Sequence, residues 1–156
     1  MIRATTGADL AALSAPARET WTDAFGESLG PEDVAAHLAK HLSPESFALH
    51  LAEDVLLVSE LDGALVGYAH LSPGELRRLY VRRELENRGI GARLMRAALE
   101  HPCLRDAASV SLDVWEENLG AQRFYRRFGF EVTGSRRFEV QSGAATGLDL
   151  IMTRRR

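Results

Sequence analysis

The chain has 156 residues, 46% of them apolar and 26% charged, with a net charge of −3 at neutral pH. That profile fits one globular domain over residues 1–156 with a sizeable core, and it excludes a general affinity for nucleic acid. No run approaches the roughly 18 apolar residues that cross a bilayer, the N-terminus lacks the layout of a signal peptide, and the lone Cys103 forms neither an internal disulfide nor a cysteine metal site. A cytoplasmic protein with no membrane segment and no metal is expected.

Charge divides unevenly. Residues 1–76 carry a net of −9 and residues 77–156 a net of +6. This is either surface composition or a bipolar site, with a basic side for an anionic ligand and an acidic side for a cationic one.

In chain order, Met1 to Thr5 reads as a first strand. Helical spacing follows over Ala8–Leu13 and Ala15–Phe25. Pro31-Glu32-Asp33 opens another helix, with proline and acids in the first turn, running to about Leu42. Val55–Glu60 is a strand, Asp62-Gly63 a hairpin turn into Ala64–His70, and Pro73-Gly74 a second turn into Leu76–Val81. A polar loop then ends in Arg88-Gly89-Ile90-Gly91. The helix that follows has Ile90, Leu94, Ala97 and Ala98 on one face and runs to about His101, where Pro102 stops it. Ser109–Trp115 alternates as a strand. Asn118–Phe128 is a helix with apolar Ala121, Phe124, Tyr125 and Phe128, and Gly129 stands where a left-handed cap belongs. Phe130–Thr133 and Leu148–Thr153 supply the last strands. This order makes a mixed α/β sheet.

The most informative stretch runs from Leu79 to Ala92. Glycines at the mouth of a helix let the backbone approach an anion, which the free amides of the first turn and the positive end of the helix dipole then bind. Arg82, Arg83, Arg88 and Arg93 add positive charge. The alternative is a short turn that uses glycine only for its geometry. A dinucleotide fingerprint needs glycine where Leu94 stands, and a nucleotide-hydrolase loop needs a Gly-Lys pair, whereas the sole lysine is Lys40.

Glu86-Asn87-Arg88-Gly89-Ile90-Gly91 resembles the acyl-coenzyme A loop of the GCN5-related N-acetyltransferases (GNAT), Gln/Arg-x-x-Gly-x-Gly/Ala, with Glu86 in place of the usual first residue. A second segment, Asn118-x-x-Ala121-x-x-Phe124-Tyr125-x-x-x-Gly129-Phe130, resembles the later motif of that family. The resemblance spans roughly residues 53–153. It implies one GNAT-type domain with a mixed sheet of about six to seven strands flanked by about four helices. It also implies acetyl-CoA as cosubstrate, with no metal. The amides of Asn87, Arg88, Gly89, Ile90, Gly91 and Ala92 would hold its pyrophosphate. The strand of Leu79, Tyr80 and Val81 would pair with its pantetheine arm, Asn118 would contact the arm, and Tyr125 would protonate the leaving thiolate.

Acetyl transfer to an amine also needs a group that accepts the amine proton. The resemblance points to Glu75, where several family members place a carboxylate. Glu116, Glu117 and Asp113 are the other candidates. The tail from Gly134 to Thr153 and the Trp115-Glu116-Glu117-Asn118 segment resemble the bacterial polyamine-acetylating branch. The expected acceptor is a small-molecule amine, with a polyamine in view. A peptide N-terminus, a protein lysine and a non-catalytic acyl-CoA-binding module are the alternatives. Dimers are common in the family, so a homodimer is compatible with the resemblance. His37 and His41, four apart, lack the Glu of a zincin helix and read as structural; Trp21 and Phe25 read as core, and Arg154-Arg155-Arg156 as a solvated tail.

Overall fold

A computed structural model describes residues 1–25, 30–139 and 145–155. Seven strands form one sheet in the order β1-β2-β3-β4-β5-β7-β6. They are β1 (Ile2–Ala4), β2 (Val55–Leu61), β3 (Ala64–Ser72), β4 (Glu75–Val81), β5 (Ser109–Trp115), β6 (Glu131–Glu139) and β7 (Ala145–Arg155). Only β4 and β5 are parallel neighbours, as the helical crossover between them requires. The helices are α1 (Leu10–Phe25), α2 (Pro31–His41), α3 (Pro44–Glu53), α4 (Ile90–Glu100), the single turn α5 (Pro102–Arg105) and α6 (Leu119–Arg127). Among the described residues no helix is long and apolar enough to cross a membrane.

The sheet has a core on each face. On one side Leu13 and Ala17 of α1, Leu42 and Phe47 pack on Leu56, Val58 and Tyr68. On the other, Ile90, Leu94, Met95 and Ala98 of α4 pack on Ala69, Leu71, Leu76 and Leu112, with Phe124 and Tyr125 of α6 against the same cluster. The turns behave as their residues dictate. Asp62 and Gly63 both have positive φ, 51° and 81°, as a tight two-residue hairpin needs. Gly129 (φ 87°) closes α6 with a Schellman pair, in which the Gly129 amide donates to the Arg126 carbonyl and the Phe130 amide to that of Tyr125.

Four boundaries differ from the sequence reading. The two expected N-terminal helices are one, α1, preceded by a short 3-10 turn, so Pro16 forfeits a backbone bond without ending the helix. Helix α3 was not expected. Ser43 caps it by accepting from the Ser46 amide, and Pro44 fills its first position. Pro102 does not simply stop a helix but starts α5, with the His101 ring accepting from the Cys103 amide. The last two strands are longer than expected, and Arg154 and Arg155 belong to β7 rather than to a tail. The Arg154 side chain donates to the Phe128 carbonyl at 2.9 Å. Val140 and Arg156 lie outside the described residues.

Candidate active site

Strands β4 and β5 share one register pair, Glu75 with Ser111. Beyond it the sheet splits, leaving a cleft between Leu76–Val81 on one side and Leu112–Trp115 on the other. The Arg82 amide donates to the Val66 carbonyl of β3 at 2.9 Å. Because backbone groups alternate sides along a strand, Tyr80 also bonds towards β3, while Leu79 and Val81 offer theirs to the cleft. A bulge re-aims β4 just upstream. His70 pairs with Arg78 and Leu71 with Leu76, so Arg77 is the extra residue. Leu76 and Leu79 thus both join the α4-side core, while Arg78 and Tyr80 share the opposite face of the sheet with Tyr68.

Two cavities lie along the cleft. The first, about 430 Å³, is walled by β4, the loop after it and α6, and takes in Leu79, Tyr80, Val81, Asn87, Gly89, Gly91, Ala92, Asn118 and Tyr125. Gly89 sits at the N-cap of α4 with φ 80°, and Asn87 is left-handed at 64°. The first backbone bond into α4 runs from the Arg93 amide to the Gly89 carbonyl, so the amides of Ile90, Gly91 and Ala92 have no acceptor within the helix. This part of the site fits a phosphate group. The Ile90 side chain points into the core, 4% exposed, and Arg88 is exposed outside the cavity wall.

The second cavity, about 310 Å³, opens on the α1–α2 side and is lined by Trp21, His37, Tyr68, Arg77, Arg78, Asp113, Trp115 and Asp149 among others. The two cavities share five residues, Leu79, Tyr80, Asn118, Ala121 and Tyr125. Tyr125 therefore stands at their junction. Its hydroxyl makes no hydrogen bond to another described residue, and burial pushes the phenol up to about 12, so it stays protonated at neutral pH. Asn118 caps α6, its Oδ1 accepting from the Ala121 amide at 3.1 Å.

The carboxylates separate cleanly. Glu75 lies at the closed end of the cleft, 3.7 Å from Arg77, and lines neither cavity. Glu116 accepts from the Leu148 amide at 3.1 Å and holds the β5 end to β7. Asp113 pairs with Arg136 at 3.1 Å. Asp149 of β7, which sequence reading did not single out, faces the second cavity, its pKa raised first by burial and then by Asp113. No local motif marks it; only the antiparallel register that sets Asp149 against Trp115 brings it there. Gln122 was also missed. It is 4% exposed, and its amide donates to the Trp115 and Glu116 carbonyls, locking α6 to the end of β5.

Trp21 and His37 stack at 3.9 Å in the wall of the second cavity, so Trp21 is not purely core. The Phe25 side chain lies outside the described residues. Burial holds His37 down to about 3 and His50 to about 4, and both His41 and His70 are also lowered mainly by burial.

Residues 15–130 match the acetyltransferase (GNAT) family. The chain belongs to that family, and its fold and cleft are those of an N-acetyltransferase. An uncharacterized N-acetyltransferase of Mycobacterium tuberculosis (strain H37Rv) is 34% identical over 149 residues, 91% of this chain and 94% of that protein. A probable spermine N(1)-acetyltransferase of Bacillus subtilis subsp. natto is 30% identical over 60 residues, 38% of this chain and 40% of that one. The crystal structure of the PaiA N-acetyltransferase of Thermoplasma acidophilum in complex with coenzyme A superposes with a TM-score of 0.83 at 23% identity, covering 100% of this chain and 98% of that one.

Proposed function

We propose that the protein transfers the acetyl group of acetyl-CoA to a primary amine of a small molecule, directly, in a ternary complex in the cytoplasm. The observation that carries this is the junction at Tyr125, where an anion-accepting cavity and a second, charged cavity meet. Coenzyme A bound to the PaiA structure supports the same occupant here, since the α4 N-terminus, Gly89 and the free β4 edge fit a phosphate and an extended arm. The Asn87–Ala92 loop holds the pyrophosphate, and the Leu79 and Val81 backbone pairs with the arm.

The amine loses a proton as its nitrogen bonds to the carbonyl carbon. Asp149 is the proton acceptor in reach of the second cavity, directly or through one water, and it replaces Glu75 in that role. A free β4 amide stabilises the oxyanion. As the carbon–sulfur bond breaks, Tyr125 gives its proton to the thiolate and regains one from solvent. Positioning of the two substrates supplies most of the acceleration. The likeness to a spermine acetyltransferase and the Asp113–Asp149 pair support a cationic acceptor.

Titration calorimetry with acetyl-CoA tests the reading. Saturable binding at one per chain is expected, followed by coenzyme A release with an amine panel. Absence of binding would mean that the glycines only turn the chain. Binding without turnover on any amine or peptide would leave a non-catalytic module.

A further inference from the structure

The second cavity carries unbalanced charge of both signs on facing walls. On the β4 side Arg78 is half-buried and, among the described residues, pairs with no carboxylate. Its guanidinium lies beside the hydroxyl of buried Tyr68, and its charge helps to keep His37, His41, His50 and His70 neutral. Neighbouring Arg77 has Glu75. On the β5–β7 side Asp149 makes no hydrogen bond or ion pair to another described residue, and Asp113 beside it has only Arg136. A half-buried ion without a counter-ion is costly to keep. Here Arg78 has no carboxylate in contact, and Asp149 has only the longer-range charge of Arg136, its register partner, which already pairs with Asp113, so groups of opposite sign line one cavity incompletely balanced.

We propose that the acceptor is an amine that also bears an anionic group, of the amino acid class, with its ammonium seated at Asp149 and Asp113 and its anion at Arg78. This rests on the acetyltransferase reading and narrows it. Acetyl-CoA does not supply the anion, because its phosphates belong at the α4 end of the other cavity and the pantetheine arm is uncharged. A linear polycation would set a positive charge against Arg78, a like-charge juxtaposition that disfavours it. Arginine suits the role, since its planar fork meets a carboxylate through two parallel hydrogen bonds.

The test compares coenzyme A release for α-amino acids with that for the matched amines lacking the carboxylate, with spermidine as a third arm. The acids should show a kcat/KM at least tenfold higher. Arg78→Met should cut that preference tenfold or more and Arg78→Lys retain part of it, with acetyl-CoA affinity unchanged in both as the check on folding. Arg78→Gln replaces the methionine variant if the latter does not fold. Titrating the same compounds into the coenzyme A complex reads binding where turnover is slow. Preference for spermidine or the simple amines, binding of neither class, or a preference that survives the loss of Arg78 would overturn the assignment. Failure of acetyl-CoA itself to bind would instead remove the acetyltransferase reading beneath it.

Discussion

Glu75 and Ser111 form the one register pair that joins β4 to β5, and every group assigned to chemistry lies on the open side of that joint. Leu79 lies four steps along the strand from Glu75, about 13 Å at roughly 3.3 Å a step. Asp149→Asn should therefore lower kcat by about tenfold to a hundredfold, whereas Glu75→Gln should leave it within a few-fold. Steady-state rates of both variants decide between the two carboxylates; a large loss only in the Glu75 variant would return the proton acceptor to β4.

Tyr125→Phe removes the Tyr125 phenol from the junction of the cavities while keeping the ring that packs on Phe124 and Phe130. Turnover should fall about a hundredfold, in line with loss of a general acid, with acetyl-CoA affinity little changed. Since the phenol is pushed up to about 12, the wild-type rate should show no Tyr125 ionisation below pH 9 or so. Unchanged turnover in the Phe variant would contradict the role.

The two motif glycines should respond differently. Gly89 has φ 80°, so Gly89→Val strains the backbone and puts a branched side chain at the anion site; acetyl-CoA binding should be lost in calorimetry. At Gly91 an added Cβ would meet Phe124 and Val81 at 3.6 Å, an ordinary contact. Gly91→Ala should bind acetyl-CoA within a few-fold of wild type.

Gly67 is required by packing rather than by φ. A Cβ there would lie 2.6 Å from the Tyr80 carbonyl oxygen and 2.9 Å from Leu94 Cδ1. Gly67→Ala should destabilise by about 1–3 kcal/mol, visible as a lower thermal midpoint, and should weaken acetyl-CoA binding because the strand it displaces is the one proposed to hold the arm.

Acidification should destabilise the α1–α3 side. Burial keeps His37, His41, His50 and His70 neutral in the fold, His70 even though its Nε2 lies 2.8 Å from Asp54. Their folded pKa values lie below the unfolded value of 6.5, so the unfolded chain binds more protons, and stability falls as pH drops from about 6.5 towards about 4. Asp149, raised by burial, opposes this slope. Asp9, held low mainly by Arg3, contributes stability that is lost only as pH falls below its ordinary 3.8. Thermal midpoints measured from pH 7.5 to pH 4.5 should decline, and His50→Gln should flatten the decline.

The sequence by itself determined the elements whose signals are local. Alternation marks β5, the Asp62-Gly63 pair makes its hairpin, Gly129 caps α6, and two motifs 27 residues apart by Gly91 and Asn118 identify the family and the anion loop. These depend on backbone angles and spacings within a few residues. Tertiary structure decided the rest. A break is expected between Leu13 and Ala15, yet α1 runs unbroken because Leu13 and Ala17 on either side are buried against the sheet. Asp149 carries no motif and becomes a cavity group only through its register opposite Trp115. Glu75 carries a family position, yet the β4–β5 joint keeps it out of both cavities. Arg78 reaches the second cavity because one extra residue in β4 puts it on the face opposite Leu76, and a bulge of that kind is set by pairing with β3 rather than by the residues that form it.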